Sequence, residues 1–216
     1  MSKLLVVFGS TGQTGIHVVR LALEEGLQVR AFARSPDKIP AETSGNESLE
    51  IFQGDLTDMG SIHRAIEGAD MVVSHAWNPA ASKKGPIMLP FVKQVHKSMR
   101  EHGVKRFLYQ AGVISHAPGL PNPVFVRVFM RPVARLMGIS EGIRDNDSVI
   151  EYLAAEAEDL DWTVTRPGML KQGSSKGTVR VSEKLSGTIQ FWDLATFSLA
   201  TVQSDAHIRE CPYLNY

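Results

Sequence analysis

Apolar positions along this chain alternate between two spacings. Short, nearly unbroken apolar runs recur at Leu4 to Phe8, "LQVRAFA" (27–33), "LEIF" (49–52), "DMVVSHA" (70–76), "VKRFLYQ" (104–110) and "DWTVTRP" (161–167). Runs of that length without strict polar alternation predict strands buried on both faces, as in a parallel sheet. Between them the spacing changes to three and four. Ile16, Val19, Ala22 and Leu23 share one helix face, with Gly26 to end it; Phe91, Val92, Val95 and Met99 share another, closed by Gly103. "SIHRAIEG" (61–68) is a third helix, and "DNDSVIEYLAAEAE" (145–158) reads as a fourth, starting on its Asp/Asn cluster. Strands alternating with helices imply parallel strands joined by right-handed crossovers. The expectation is a Rossmann-type, doubly wound α/β sheet in a single domain over residues 1–216, without linkers, repeats or low-complexity tracts.

The first strand runs directly into "GSTGQTG", which places Gly9, Gly12 and Gly15 three residues apart. In a doubly wound sheet this turn lies at the carboxyl edge, where ligands bind. A pyrophosphate there meets the free N–H groups of a helix N-terminus, so side chains must be absent where backbone approaches it. The bland alternative is a tight turn with close helix packing; the position behind a buried strand and ahead of an amphipathic helix favours a dinucleotide. Strand two ends in "AFARSPDK" instead of the acidic residue that usually takes the ribose hydroxyls of NAD. Arg34, helped by Ser35 and Lys38, is placed to pair with a 2'-phosphate, which favours NADP(H) over a merely solvated charge at a strand end.

Composition narrows the partners. The 216 residues are 43% hydrophobic, enough for one sizeable core. Lys and Arg total 23 and Asp and Glu total 23, so no net charge draws the chain to nucleic acid. No apolar run reaches the roughly 20 residues of a membrane span. Cys211 is the single cysteine, and the start "MSKLLVVFGS" shows no signal-peptide pattern; a cytoplasmic location is expected. Without HExxH, paired cysteines or an acidic calcium loop, and with the histidines scattered, no metal site is expected.

Taken with "ARSPDKIP", "GDLTD" (54–58) and "DWTVTRPGML" (161–170), the loop "GSTGQTG" makes the chain resemble the atypical short-chain dehydrogenase/reductases with NmrA-like or NAD(P)H-binding domains. In size and layout it resembles the branch of biliverdin-IXβ reductase and NADPH-dependent flavin reductase. The resemblance spans nearly the whole chain, including "IQFWDLATFSLATV", which looks like that branch's last helix entered through an Asp. It implies that Thr11, Gly12, Gln13 and Thr14 line the pyrophosphate. Asp55 and Leu56 would flank the adenine, Ala76 and Trp77 would edge the nicotinamide ribose, and Pro167 would approach the nicotinamide.

The departures from that pattern bear on mechanism. The Tyr-x-x-x-Lys pair, in which lysine lowers the tyrosine pKa for proton transfer, is missing: Val113 stands four residues after Tyr109, and Glu156 four after Tyr152. Ala111 occupies the place of the serine often found after strand five. Ser115 and His116 are the candidate catalytic pair, with surface polar groups as the alternative. A nicotinamide pocket without an evident proton donor suits hydride transfer to a flavin, quinone or tetrapyrrole-like acceptor, which delocalises charge. A segment around 113–145 would cover the substrate. Within it, residues 116–140 carry Arg127, Arg131 and Arg135 at intervals of four and the apolar Val124, Phe125, Val128, Phe129 and Met130. They form a lid, a solvated face or a self-association surface, the chain being a monomer or small homo-oligomer. A non-catalytic NADP(H) sensor of NmrA-like type is the second function class, and an epimerase or isomerase the third.

Overall fold

A computed structural model of the chain describes residues 2–77, 85–119, 122–182, 185 and 187–216. Six strands form the central sheet: β1 (Leu4–Phe8), β2 (Gln28–Ala33), β3 (Leu49–Gln53), β4 (Met71–Ser74), β5 (Arg106–Gln110) and β6 (Asp161–Thr165). All pair in parallel in the order β3-β2-β1-β4-β5-β6, with Val6 beside Arg30 on one side and Val72 on the other. This is the Rossmann doubly wound order, in which the direction of winding reverses beside β1. The runs with the least polar interruption, in β1 and β4, lie at that centre.

Helices cover both faces. Leu5, Val7, Met71, Val73 and Leu108 pack against α1 (Gln13–Glu24) and α7 (Phe191–Val202). On the opposite face Val6, Phe8, Val72, Phe107 and Tyr109 meet α3 (Met59–Ile66), α4 (Met88–His102) and α6 (Ser140–Glu156). A short helix, α2 (Ala41–Ser44), precedes β3, and α5 (Arg131–Leu136) follows a π-helical turn at Val126–Met130. The predicted stops hold: Gly26 and Gly103 both take positive φ, +80° and +72°.

The helix over 145–158 needs one correction. It begins at Ser140, and Asp145, Asn146 and Asp147 are buried within it instead of capping it. Each serves another element. Asp145 accepts hydrogen bonds from the amides of Ile87, Met88 and Leu89 and so caps α4. Asn146 accepts from the Tyr109 hydroxyl at 2.5 Å, and Asp147 accepts from Arg131 at 2.6 Å. Three adjacent residues cover about 200° of a helix surface, so α6 is gripped on several sides.

Small pairings at the carboxyl end were not evident from periodicity. β7 (Met169–Lys171) pairs in parallel with β9 (Thr188–Gln190), and β8 (Arg180–Ser182) runs antiparallel to β10 (Tyr213–Asn215). The tail then lies along the outer edge of β6, with the Val164 amide donating to Glu210 O and the Arg166 amide to Pro212 O. An edge strand that would otherwise offer open hydrogen-bonding groups is thereby covered.

Candidate functional site

The three glycines of the first turn do different work. Gly9 has φ +76°, and a Cβ there would lie 2.6 Å from the Ala76 amide nitrogen, so the turn rests directly on the exit of β4. A Cβ on Gly15 would overlap the Gly9 carbonyl oxygen, which seats α1 against the turn. Gly12 is exposed at the N-cap of α1, with ordinary extended backbone (φ −80°, ψ 163°); a Cβ there would sit 3.1 Å from Gly9 O and meet nothing else within 4 Å. Gly9 and Gly15 are thus required by the fold, whereas Gly12 keeps side-chain bulk out of open space at a helix start. No side chain caps α1, and no acidic residue lies in its first turn. An anion is the natural complement of such an end.

Beside this turn lies a cleft of about 280 Å³. Gly9, Thr11 and Gly12 form one end; Arg34, Ser35 and Lys38 come from the end of β2; Asp55 and Leu56 follow β3; Ala76 and Trp77 follow β4. The structure therefore brings together nine of the positions singled out from sequence as cofactor contacts, together with Lys38. Gln13, Thr14, Gly15 and Pro167 are outside its lining, the last of these accepting a backbone hydrogen bond from the Val113 amide. Gly54 makes the third bend possible, because a Cβ there would overlap the Phe32 ring. The Asp55 carboxyl is held below its usual range, first by the Thr57 hydroxyl at 2.7 Å, then by the Thr57 amide, with the Arg34 charge assisting. At neutral pH the cleft thus offers an exposed guanidinium and an ionised carboxylate.

His75 also lines the cleft and was not distinguished from the scattered histidines. Its Nδ1 lies 2.6 Å from Gln110 Oε1, an acceptor, which fixes the hydrogen on Nδ1. Burial pushes the imidazole pKa down to about 4, and Nε2 is buried with no hydrogen-bond partner among the described residues. The ring is neutral at pH 7, with a bare lone pair on Nε2. Sequence carried no signal for this, since Gln110 is on the neighbouring strand.

Ser115 and His116 lie elsewhere. Neither lines the cleft. Ser115 is buried, and the His116 ring stands between Asp147 Oδ1 at 3.2 Å and Glu151 Oε1 at 3.3 Å. The tyrosines are committed as well. Tyr109 is buried with its hydroxyl on Asn146, and burial together with Asp145 raises its pKa well above the ordinary value. Tyr152 bonds His96, Tyr213 lies under the Arg166 guanidinium, and Tyr216 donates to Asp193. Among the described residues no trio of His, Cys, Asp or Glu is placed to hold a metal ion, and no helix is long and apolar enough to cross a membrane.

Leu120 and Pro121 lie outside the described residues, and none of the described residues of the segment 116–140 lines this cleft. Ala117, Pro118 and Pro123 instead line a second cavity of about 800 Å³. Farther along, Val126 and Ala134 face inward, while Phe125, Val128, Phe129, Val133, Leu136 and Met137 are more than half exposed. The π-helical turn explains why a repeat of four runs straight: about 4.4 residues per turn followed by 3.6 averages to four.

The uncapped helix end and the space that a Gly12 Cβ would fill fit the pyrophosphate of a nicotinamide dinucleotide. Comparison with known proteins agrees. Residues 9–205 match the family model described as NAD(P)H-binding. Oxidoreductase stcQ of Emericella nidulans is 26% identical over 92% of this chain and 77% of its own length. The anaerobillin reductase ChuY of Escherichia coli O157:H7 superimposes with a TM-score of 0.79 at 19% identity, covering 99% of this chain and 97% of that one. A proposed epimerase of Bacteroides thetaiotaomicron gives 0.80 at 22%, covering 100% and 98%.

Proposed function

Because the chain belongs to the NAD(P)H-binding family, we propose that it is an NADPH-dependent reductase that passes hydride to a flat conjugated acceptor such as a flavin, quinone or tetrapyrrole-like molecule. The α1 amides of Gln13 and Thr14, with Gly12 leaving room, would hold the pyrophosphate. Arg34, Ser35 and Lys38 would hold a 2'-phosphate; Asp55 and Leu56 would flank the adenine. Ala76, Trp77 and Pro167 would orient the nicotinamide, which when bound supplies the hydride.

The observation that carries this assignment is the protonation inventory of the cleft. Asp55 is ionised, His75 is neutral with its one N–H given to Gln110, and the hydroxyls of Tyr109, Tyr152 and Tyr216 are engaged elsewhere. Apart from Lys38, which this reading places with Arg34 on the 2'-phosphate, its described lining residues include no acid poised to protonate a localised alkoxide. A conjugated acceptor spreads the incoming charge and can take its proton from water, so orientation suffices. The same lack disfavours an epimerase, which needs a paired acid and base. The relatives described as an oxidoreductase and a reductase support reduction in general.

The deciding experiment is NADPH oxidation followed with FMN, with a quinone and without acceptor, beside NADH. Acceptor-dependent oxidation, faster with NADPH, is expected; none, despite tight NADPH binding, would overturn the reductase. A non-catalytic NADP(H) sensor is the second function, favoured by the outward apolar face over Phe125 to Met137, which is suited to a partner.

A further inference from the structure

The cover segment carries an outward face that takes no part in the dinucleotide cleft. Residues 124–136 are continuously helical, first through the π-helical turn and then through α5. In an α-helix a row of every fourth residue drifts by about 40° per step, and in a π-helix it drifts about as far the other way. Here the two offset each other, and four straight rows result. Val126, Met130 and Ala134 form the row turned toward the protein, buried at both ends and half-buried at Met130. Val124, Val128, Pro132 and Leu136 form the opposite row, all exposed, Leu136 at 90%. Phe125, Phe129, Val133 and Met137 form one flank, also exposed, with the two phenyl rings 5.5 Å apart between centroids. Arg127, Arg131 and Arg135 form the other flank.

The charges on this helix are of one sign. Arg131 donates to Asp147 of α6 at 2.6 Å and so holds the helix down. Arg127 and Arg135 are exposed and pair with no carboxylate among the described residues. The chain holds 23 acidic residues, yet none stands between Glu101 and Glu141, and Glu141 is itself taken by Arg144. A chain with no net charge thus presents one ridge that is both apolar and basic.

We propose that this ridge is a peripheral membrane contact. The helix lies in the plane of an anionic lipid surface, with its two apolar rows at the boundary between headgroups and acyl chains and with Arg127 and Arg135 on lipid phosphates. Apolar side chains on one side and arginines on the other are what a helix at that boundary requires. The straight rows suit a flat partner, because a row that stays on one side can meet a plane along its whole length. A second copy is the poorer complement. A two-fold pairing of this face sets the segment against itself, so the arginines gain further arginines and no carboxylate. Lipid supplies the apolar medium and the counter-charge together. The assignment stands apart from the reductase chemistry, and a lipid occupant leaves the sensor reading without its partner face.

Sedimentation of the chain with vesicles, without nucleotide, tests the contact. Vesicles of phosphatidylcholine with about 30% phosphatidylglycerol are expected to take up the protein at least tenfold more strongly than vesicles of phosphatidylcholine alone, and about 0.5 M NaCl should remove most of that difference. Leu136→Ser combined with Phe129→Ser should weaken uptake by about tenfold or more, and Arg127→Gln combined with Arg135→Gln should remove the preference for the anionic vesicles. All four side chains are exposed, so both proteins should fold and bind NADPH with wild-type affinity. No uptake by the anionic vesicles, or undiminished uptake of the folded protein carrying Leu136→Ser and Phe129→Ser, would overturn the contact. So would a concentration-dependent dimer in analytical ultracentrifugation that Leu136→Ser abolishes, because a second copy would then occupy the face.

Discussion

Replacing His75 with leucine removes a titration whose direction and size follow from its surroundings. In the unfolded chain the imidazole has its ordinary pKa of 6.5; in the fold burial lowers it to about 4, against the partial opposing effect of Gln110. Between those values the unfolded state binds the extra proton, so stability is fully present above pH 6.5 and lost as pH falls through the window. With about 1.4 kcal/mol per pKa unit, the loss from this one ring is about 2 kcal/mol at pH 5 and about 3 kcal/mol near pH 4. Urea unfolding of wild type and His75→Leu at pH 7.5, 6 and 5 isolates it, since other groups cancel in the difference. The wild type should lose about 2 kcal/mol more than the variant between pH 7.5 and 5. Parallel stability curves would refute the buried neutral imidazole and, with it, part of the case that the cleft holds no proton donor.

Gly12→Val should abolish NADPH binding in calorimetry while holding unfolding stability within about 1 kcal/mol, whereas Gly15→Val should destabilise by about 1 to 3 kcal/mol or more through its clash with Gly9 O. Arg34→Ala should weaken NADPH by about 1.5 to 3 kcal/mol and leave NADH nearly unchanged; equal losses would make Arg34 structural. Ser115→Ala and His116→Ala should each lower turnover with a flavin or quinone by less than about tenfold, below the 10²- to 10⁴-fold range of general acid catalysis, while Trp77→Ala does more damage. A hundredfold loss at His116 with intact NADPH affinity would restore a carbonyl or imine substrate.

The sheet was legible because its central strands β1, β4 and β5 are buried on both faces, and such burial writes an apolar run into the chain, whereas β3 at the edge is only partly buried. The glycine turn was legible in part for a related reason: Gly15 reports a backbone contact with Gly9, close in sequence, whereas Gly9 itself rests on Ala76 at the exit of β4, a contact that only the fold reveals. The start of α6 was misread because Asp145, Asn146 and Asp147 have cap chemistry, and Asp145 does cap a helix, but α4 instead of its own. A residue type shows what it can bond, not which element it will find. His75 was hidden likewise, its neutral state being set by burial in the fold and its hydrogen placed on Nδ1 by Gln110 of the neighbouring strand. The second cavity is beyond any local pattern, since its wall joins segments from Ala117 to Tyr213.

The placement of hydroxyls and carboxylates separates the functional alternatives more firmly than the missing Tyr-x-x-x-Lys did. Absence of a motif leaves room for another residue to supply the proton from a different position. Here those positions are occupied. Asp147 on α6 is spent on Arg131 and His116, and Tyr109 on Asn146. Freeing either group would break contacts that hold α6 to β5 and to Arg131 of α5. On the proposed reading the acceptor needs no proton from the protein, and Trp77, at the proposed nicotinamide edge, has to align it. That requirement makes Trp77→Ala the sharper probe of turnover, and NADPH affinity measured beside it separates lost alignment from lost binding.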